Sequence, residues 1–158
     1  MMPRADVDKR EVVEAQIRRF VLALFCFGTI GIGAELLALG HYEDQWQLVP
    51  LFVLSVALTS AVLQLTLGGP VALRLLRAVS IAMMLAGVAG IILHYRGNLE
   101  FQRETYPDLA GWDLLVKIIH SKVPPAMAPG VMAQLGLLGL IYCFRHPQSH
   151  RAVHEQSE

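Results

Sequence analysis

The sequence predicts an all-α integral membrane protein. The expected architecture is a bundle of four transmembrane helices with both termini in the cytoplasm and an amphipathic helix on the outer side between spans three and four. Three observations carry this. Hydrophobic residues make up 54% of the 158 residues, and the mean hydropathy of +0.49 is too high for an ordinary soluble domain. The apolar residues fall into four blocks of roughly twenty, each long enough to cross about 30 Å of hydrocarbon. Lys and Arg collect on one side of those blocks.

Residues 1–19 form a polar, charged tail with Arg4, Lys9, Arg10, Arg18 and Arg19. Within it, Asp8 to Arg19 is expected to form a short helix on the membrane surface, with Val12, Val13 and Ile17 as its apolar face. No A-x-A cleavage site follows, and the next apolar run is too long for a signal-peptide core, so it reads as an uncleaved anchor. The transmembrane domain covers 20–144. Span one runs over about 20–40 and ends in the polar turn Gly40-His41-Tyr42-Glu43-Asp44-Gln45-Trp46-Gln47, whose Tyr42 and Trp46 suit the headgroup layer. Span two covers about 48–67, with Pro50 tolerable in its first turn, and Gly68-Gly69-Pro70 breaks it. Span three covers about 71–95, with Arg74 and Arg77 one turn apart at its start and expected to snorkel toward water.

An outer loop is expected over 96–125. Within it, Asp108 after Pro107 is a candidate N-cap, and Leu109, Trp112, Leu115, Val116 and Ile119 recur at helical spacing. This stretch is read as an amphipathic helix that lies on the membrane or plugs the bundle mouth. Pro124, Pro125 and Pro129 precede or open span four, about 126–144, and a polar tail follows over 145–158. The tail carries His146, His150 and His154 four residues apart. They read as part of a solubilising tail, with a loose metal-binding segment as the alternative.

Charge sets the expected orientation. The two tails and the turn between spans two and three hold nine Lys and Arg, namely Arg4, Lys9, Arg10, Arg18, Arg19, Arg74, Arg77, Arg145 and Arg151. The other side holds four, Arg96, Arg103, Lys117 and Lys122, against six acids. Positive charge inside therefore places both termini in the cytoplasm. The formal net charge of zero argues against a nucleic-acid partner. Cys26 and Cys143 lie inside apolar blocks and read as small hydrophobes rather than as a disulfide or metal motif.

Each span carries a stripe of small or polar residues. In span two it is Ala57, Ser60 and Gln64; in span three Ser80, Met83, Gly87, Gly90 and His94; in span four Met127, Gly130 and Gln134. In span one, Gly28, Gly31, Ile32, Ala38 and Leu39 lie within roughly sixty degrees of Glu35. Stripes facing a common axis describe a close-packed bundle joined by small residues and hydrogen-bonding side chains. A carboxylate facing hydrocarbon is costly, so Glu35 is expected to turn toward the bundle or a wet cavity, about five residues and so roughly 8 Å below the outer end of its span.

Titratable groups thus gather at the outer mouth, and Glu35, His94, Arg96 and His41 form the candidate polar cluster. Three roles compete for it. Glu35 pairs with Arg96, His94 or a backbone donor and pins the bundle; or burial raises its pKa so that proton and substrate compete for it; or Glu35, His41, His94 or His120 serves a metal or haem. No pair has motif spacing for the last of these, so no cofactor or metal is assigned. Catalysis has no support: the chain lacks G-x-S-x-G, H-E-x-x-H and a phosphate loop.

Ala34-Glu35 in the first of four short spans resembles the layout of the small multidrug-resistance transporters, where a glutamate in that helix binds cation or proton in turn. The charged tail before span one and the roughly thirty residues between spans three and four depart from that family, and its activity is not carried over. The expected function is that of a small bacterial-type multi-pass protein of the inner membrane, a non-enzymatic accessory or scaffold subunit. Its expected partners are the lipid bilayer and another membrane protein or a second copy. The alternative is a proton-coupled carrier or permeation element centred on Glu35.

Overall fold

The computed structural model describes residues 4–120 and 127–147, the first five as backbone only. The described residues form five helices and no strand: α1 (Arg4–Ala38), α2 (Gln45–Thr66), α3 (Gly69–Thr105), α4 (Gly111–Ile119) and α5 (Met127–Cys143). α1, α2 and α3 are each long and apolar enough to cross a membrane, while α5 is a shorter apolar helix of 17 residues. In each of the three long helices only 28% of the most apolar window is buried within the chain. Most of that apolar surface therefore faces outward, a large exposed patch that suits lipid and not water.

α1, α2, α3 and α5 pack as a ring, each against the next, with α5 closing back onto α1. Arg18 and Arg77 both reach the C-terminal end of α5, and Gln64 near the end of α2 meets Tyr142. At the other end His41, after α1, stacks on His94 of α3, and Gly90 faces Pro129 in the first turn of α5. The four helices therefore run alternately up and down. Leu22, Phe25, Leu54, Ala57, Ala61, Leu73, Leu76 and Met83 fill the axis, each no more than 3% exposed.

The tightest seam joins α3 to α5. A Cβ placed on Gly136 would lie 2.6 Å from both Met84 N and Ser80 O, and one on Gly87 would lie 2.6 Å from Ala133 N and Pro129 O. The two backbones touch at reciprocal glycines, as small residues allow between helices in lipid. The expected stripe of span two, Ala57, Ser60 and Gln64, is buried on α2; of the stripe expected of span three, Ser80, Met83 and Gly87 are buried on α3, while Gly90 and His94 toward its far end are only half-buried. The stripe expected of span four is not buried. Met127 and Gln134 are exposed, Gly130 has open space around its Cβ direction, and α5 instead buries Met132, Leu135, Gly136, Gly139, Tyr142 and Cys143. Polar residues also join helices less than expected. Thr29, Ser60 and Ser80 donate to Phe25 O, Ala57 O and Leu76 O of their own helices, at 2.7, 2.8 and 2.7 Å. Close packing holds the seam.

Helix ends differ from the expected span ends where hydropathy and helicity part company. α1 does not begin at Phe20: Arg4–Ala38 is one helix of 35 residues, about 52 Å long. The stretch 8–19 is thus the unbroken helical continuation of the first apolar block, not a separate helix lying on the surface. α1 ends in a Schellman turn, with His41 N bonded to Leu36 O at 2.9 Å, Gly40 N to Leu37 O at 3.1 Å, and Gly40 at φ 68°. α3 likewise runs past Tyr95 to Thr105, 37 residues and about 55 Å. The stretch Arg96 to Glu104 is polar yet rich in helix formers, so the helix stops only at Tyr106, whose φ of −135° is the extended geometry a following proline favours.

The expected outer loop is therefore half helix. α4 starts later than expected, with Ala110 rather than Asp108 as its N-cap. It buries Leu114 and Ile118, while Trp112 is 74% exposed. α4 packs on α3 alone among the described helices, so it braces the α3 extension and does not plug the bundle. Lys117 sits over the Tyr106 ring, 3.2 Å from its centroid, a cation–π contact that ties α4 to the turn before it. The expected span-four start at Ala126, and Pro124 and Pro125, lie outside the described residues.

Candidate functional site

The end of the ring near His41 and His94 holds the candidate cluster, and the fold brings together only part of it. α1 ends at Ala38, which leaves Glu35 in the last turn, about 4.5 Å of rise from the helix end. Its side chain is exposed. Leu22, Phe25, Thr29, Ile32 and Leu36 form the buried face of α1, centred about 100° round the helix from Glu35. The expectation that Glu35 turns into the bundle is corrected accordingly. The physical reason is that Leu22, Phe25, Thr29, Ile32 and Leu36 fill the space inside the ring, and of the glycines of α1 Gly28 alone packs closely on α5, against Leu135, while Gly31 and Gly33 face open space. Near the helix end a carboxylate reaches water readily, so no bundle partner is needed. Among the described residues the single ion pair is Arg18–Glu14, so neither Arg96 nor His94 neutralises Glu35.

His41 and His94 do meet, with ring centroids 6.4 Å apart and planes 28° from parallel. Burial, followed by the adjacent His94, holds the His41 pKa below the ordinary histidine value. Arg96 lies farther out and lines an open groove along the α3 extension with Leu99, Glu100, Arg103 and Glu104. His120 is occupied locally, its Nδ1 2.9 Å from Val116 O on α4. Among the described residues no group of three His, Cys, Asp or Glu side chains is placed to hold a metal ion. His150 and His154 lie outside the described residues.

The opposite end, where α5 terminates, carries a denser polar site that spacing alone does not reveal. The last carbonyls of an α-helix lack intrahelical donors, and α5 receives them from two other helices. Arg18 Nη1 of α1 donates to Tyr142 O at 2.9 Å and Phe144 O at 3.0 Å, and its Nη2 donates to Arg145 O at 3.2 Å and to Glu14 at 2.5 Å. Arg77 Nη2 of α3 donates to Cys143 O at 3.1 Å. Arg145 adopts φ 46°, the left-handed geometry that ends a helix and turns these carbonyls toward Arg18. Below them Gln64 Nε2 donates to the Tyr142 hydroxyl at 3.3 Å, and His146 tilts against the Tyr142 ring at 5.1 Å. Burial and the Arg18 charge push the His146 pKa below its ordinary value, with Glu14 opposing. Both cysteines are free.

The signal that could have found this site was the pairing of basic residues with a helix C-terminus. In the sequence, Arg18 reads as a tail charge and Arg77 as a snorkelling one, because positive charge collected on one side of the spans suffices to explain both. Only the ring order of the helices shows that both reach α5. The arrangement is a clamp: two guanidinium groups lock one helix end by charge-assisted hydrogen bonds.

Neither a protein-family model, nor a curated protein, nor a solved structure matches this chain. The functional reading therefore rests on the geometry.

Proposed function

We propose that the chain crosses the inner membrane of a bacterium four times, with both termini in the cytoplasm, and acts as a non-enzymatic scaffold or accessory subunit. The observation that carries this is a filled bundle with two long helical arms. Side chains no more than 3% exposed occupy the axis, and the buried hydroxyls of Thr29, Ser60 and Ser80 are satisfied by their own helices. Meanwhile α1 and α3 run about 20 Å past a 30 Å hydrocarbon layer in opposite directions. Such a body offers surfaces on both sides of a membrane and little room for a transported solute. The fourth crossing is supported by α5, whose ends lie level with the long helices at Gly90 and at Arg77. The orientation is supported by Lys9, Arg10, Arg18, Arg19, Arg74, Arg77 and Arg145, which the described helices carry to the side where α5 ends.

The alternative, a proton-coupled carrier centred on Glu35, draws less support, because an exposed carboxylate in the last helical turn is open to one side only. The test is mass spectrometry of the tagged protein extracted mildly from its own membrane, with uptake assays of Glu35→Gln beside it. A membrane partner in near-equal amount, or a complex of copies, supports the scaffold. A protein that emerges as a lone chain, and whose pH-dependent uptake Glu35→Gln abolishes, refutes it.

A further inference from the structure

We propose that α1 forms a parallel two-helix coiled coil with α1 of a second copy, using the face opposite the bundle. The face is Val13, Ile17, Phe20, Leu24, Phe27, Gly31, Ala34 and Ala38, spaced 4-3-4-3-4-3-4. This is the heptad seam of a left-handed coiled coil. All eight are exposed, with Val13 at 53%, Ile17 at 58% and Phe27 at 78%. The seam is turned roughly 140° from the buried face of α1, so it can meet another protein without disturbing the bundle.

Lipid explains the inner-membrane part of this surface but not its continuation. Within the span, apolar residues are exposed on many sides of α1. Outside it, beyond the level of Arg18 and the end of α5, one line alone stays apolar. Val12 is also exposed, but its line passes into Gln16 and Arg19, whereas Val13 passes into Ile17, Phe20 and Leu24. Because α1 is one unbroken helix, Ile17 and Val13 lie about 1.5 and 7.5 Å beyond Arg18 along its axis, where hydrocarbon has given way to the polar interface and exposed apolar side chains favour a cover. Arg10, the next seam position toward the N-terminus, ends the apolar run.

The flanking charges favour a second copy as the cover. In a parallel coiled coil the residue before one seam position faces the partner residue five farther along, which sets Lys9 against the partner's residue 14, a glutamate in the same sequence. Two-fold symmetry makes that pair twice. Lys9, Arg10, Val13, Glu14 and Ile17 already line one shallow groove, and Glu14, though it pairs with Arg18, keeps 60% of its side chain exposed. A second copy in the same membrane also presents its α1 parallel and at equal depth. The proposal deepens the scaffold reading and rests on α1 crossing the membrane with its N-terminal arm beyond it.

The experiment is cysteine crosslinking in native membranes, with Val13→Cys and Ile17→Cys as seam positions and Glu11→Cys and Ala15→Cys as off-seam controls. Cys26 lies about 140° from the seam and Cys143 is buried on α5, so both native thiols can stay. Oxidation is expected to give a species of twice the chain mass from both seam variants and at least tenfold less from the controls. Lys9→Glu alone, or Glu14→Lys alone, should lower the Val13→Cys yield several-fold, and the two together should restore it. Equal yields on and off the seam, no dimer, or linkage only to a different protein overturns the proposal. A membrane-impermeant maleimide applied to sealed cells separates the two readings. Val13→Cys that labels only after permeabilisation and yields no crosslink overturns the dimer and leaves the orientation standing. Labelling from outside with seam-periodic crosslinks upholds the dimer and overturns the orientation.

Discussion

A single methyl group at Gly136 tests the claim that α3 and α5 touch backbone to backbone. In Gly136→Ala the new Cβ meets Met84 N and Ser80 O at 2.6 Å. Neither atom ends a flexible side chain, so the helices must part by about 0.8 Å to regain ordinary contact at 3.4 Å. Overpacking of this kind costs about 1–3 kcal/mol, and two rigid backbone contacts place Gly136→Ala near the top of that range. Replacing glycine by alanine inside a helix returns about 1 kcal/mol through propensity, which leaves a net loss of about 2 kcal/mol. For a chain of this size that corresponds to a Tm lower by roughly 4–8 °C. The control is Gly33→Ala in α1, where nothing lies within 4 Å of the added Cβ, and the propensity gain should appear alone.

Thermal unfolding of both variants in one detergent, followed by helicity and by size-exclusion profile, makes the comparison. Gly87→Ala should match Gly136→Ala, since its Cβ meets Ala133 N and Pro129 O at the same 2.6 Å. The double variant should lose less than the sum, because helices already parted at one glycine admit the second methyl more easily. Equal Tm values for Gly136→Ala and Gly33→Ala would refute the backbone contact.

The arginine clamp on α5 and the histidines His41 and His146 supply two further predictions. Arg18→Ala should destabilise the fold by about 1–3 kcal/mol by leaving α5 carbonyls without their charged donor, and Arg18→Lys should recover only part, because an ammonium lacks the fork that reaches three carbonyls; proteolysis near residue 145 and Tm in detergent report both. His146 and His41 both have folded pKa values below the ordinary one, so the fold binds fewer protons than the unfolded chain. Their contribution is complete above about pH 6.5 and is lost as pH falls through that value toward the folded pKa. Unfolding at pH 7.5 and 5.5 should show lower stability at 5.5, and a His41→Gln, His146→Gln variant should flatten the difference.

Much of the bundle was legible in the chain. Apolar blocks mark membrane crossings because backbone and side chains must both suit hydrocarbon, and the small-polar stripes of α2 and α3 mark buried faces because those helices have neighbours on that side. α5 escaped the same logic. It is apolar all round, so Met127-Gly130-Gln134 and Leu135-Gly136-Gly139 were equally plausible inner faces until the position of α3 chose between them. Glu35 escaped for a related reason: a rule about carboxylates in hydrocarbon does not apply one turn from the helix end, and hydropathy placed that end two residues too far along.

Local and additive features are written in the chain: helical content, the places where glycine and proline break it, and the side on which positive charge collects. Hydropathy reports where the solvent changes, and for Arg4–Phe20 and Arg96–Thr105 that boundary falls inside a continuous helix. Pairwise features come from the packed helices alone. Which arginines reach the end of α5, which glycines face a backbone, and which side of α1 stays uncovered all depend on the order of helices around the ring. No single helix carries that information, because each contact belongs to two segments far apart in the chain.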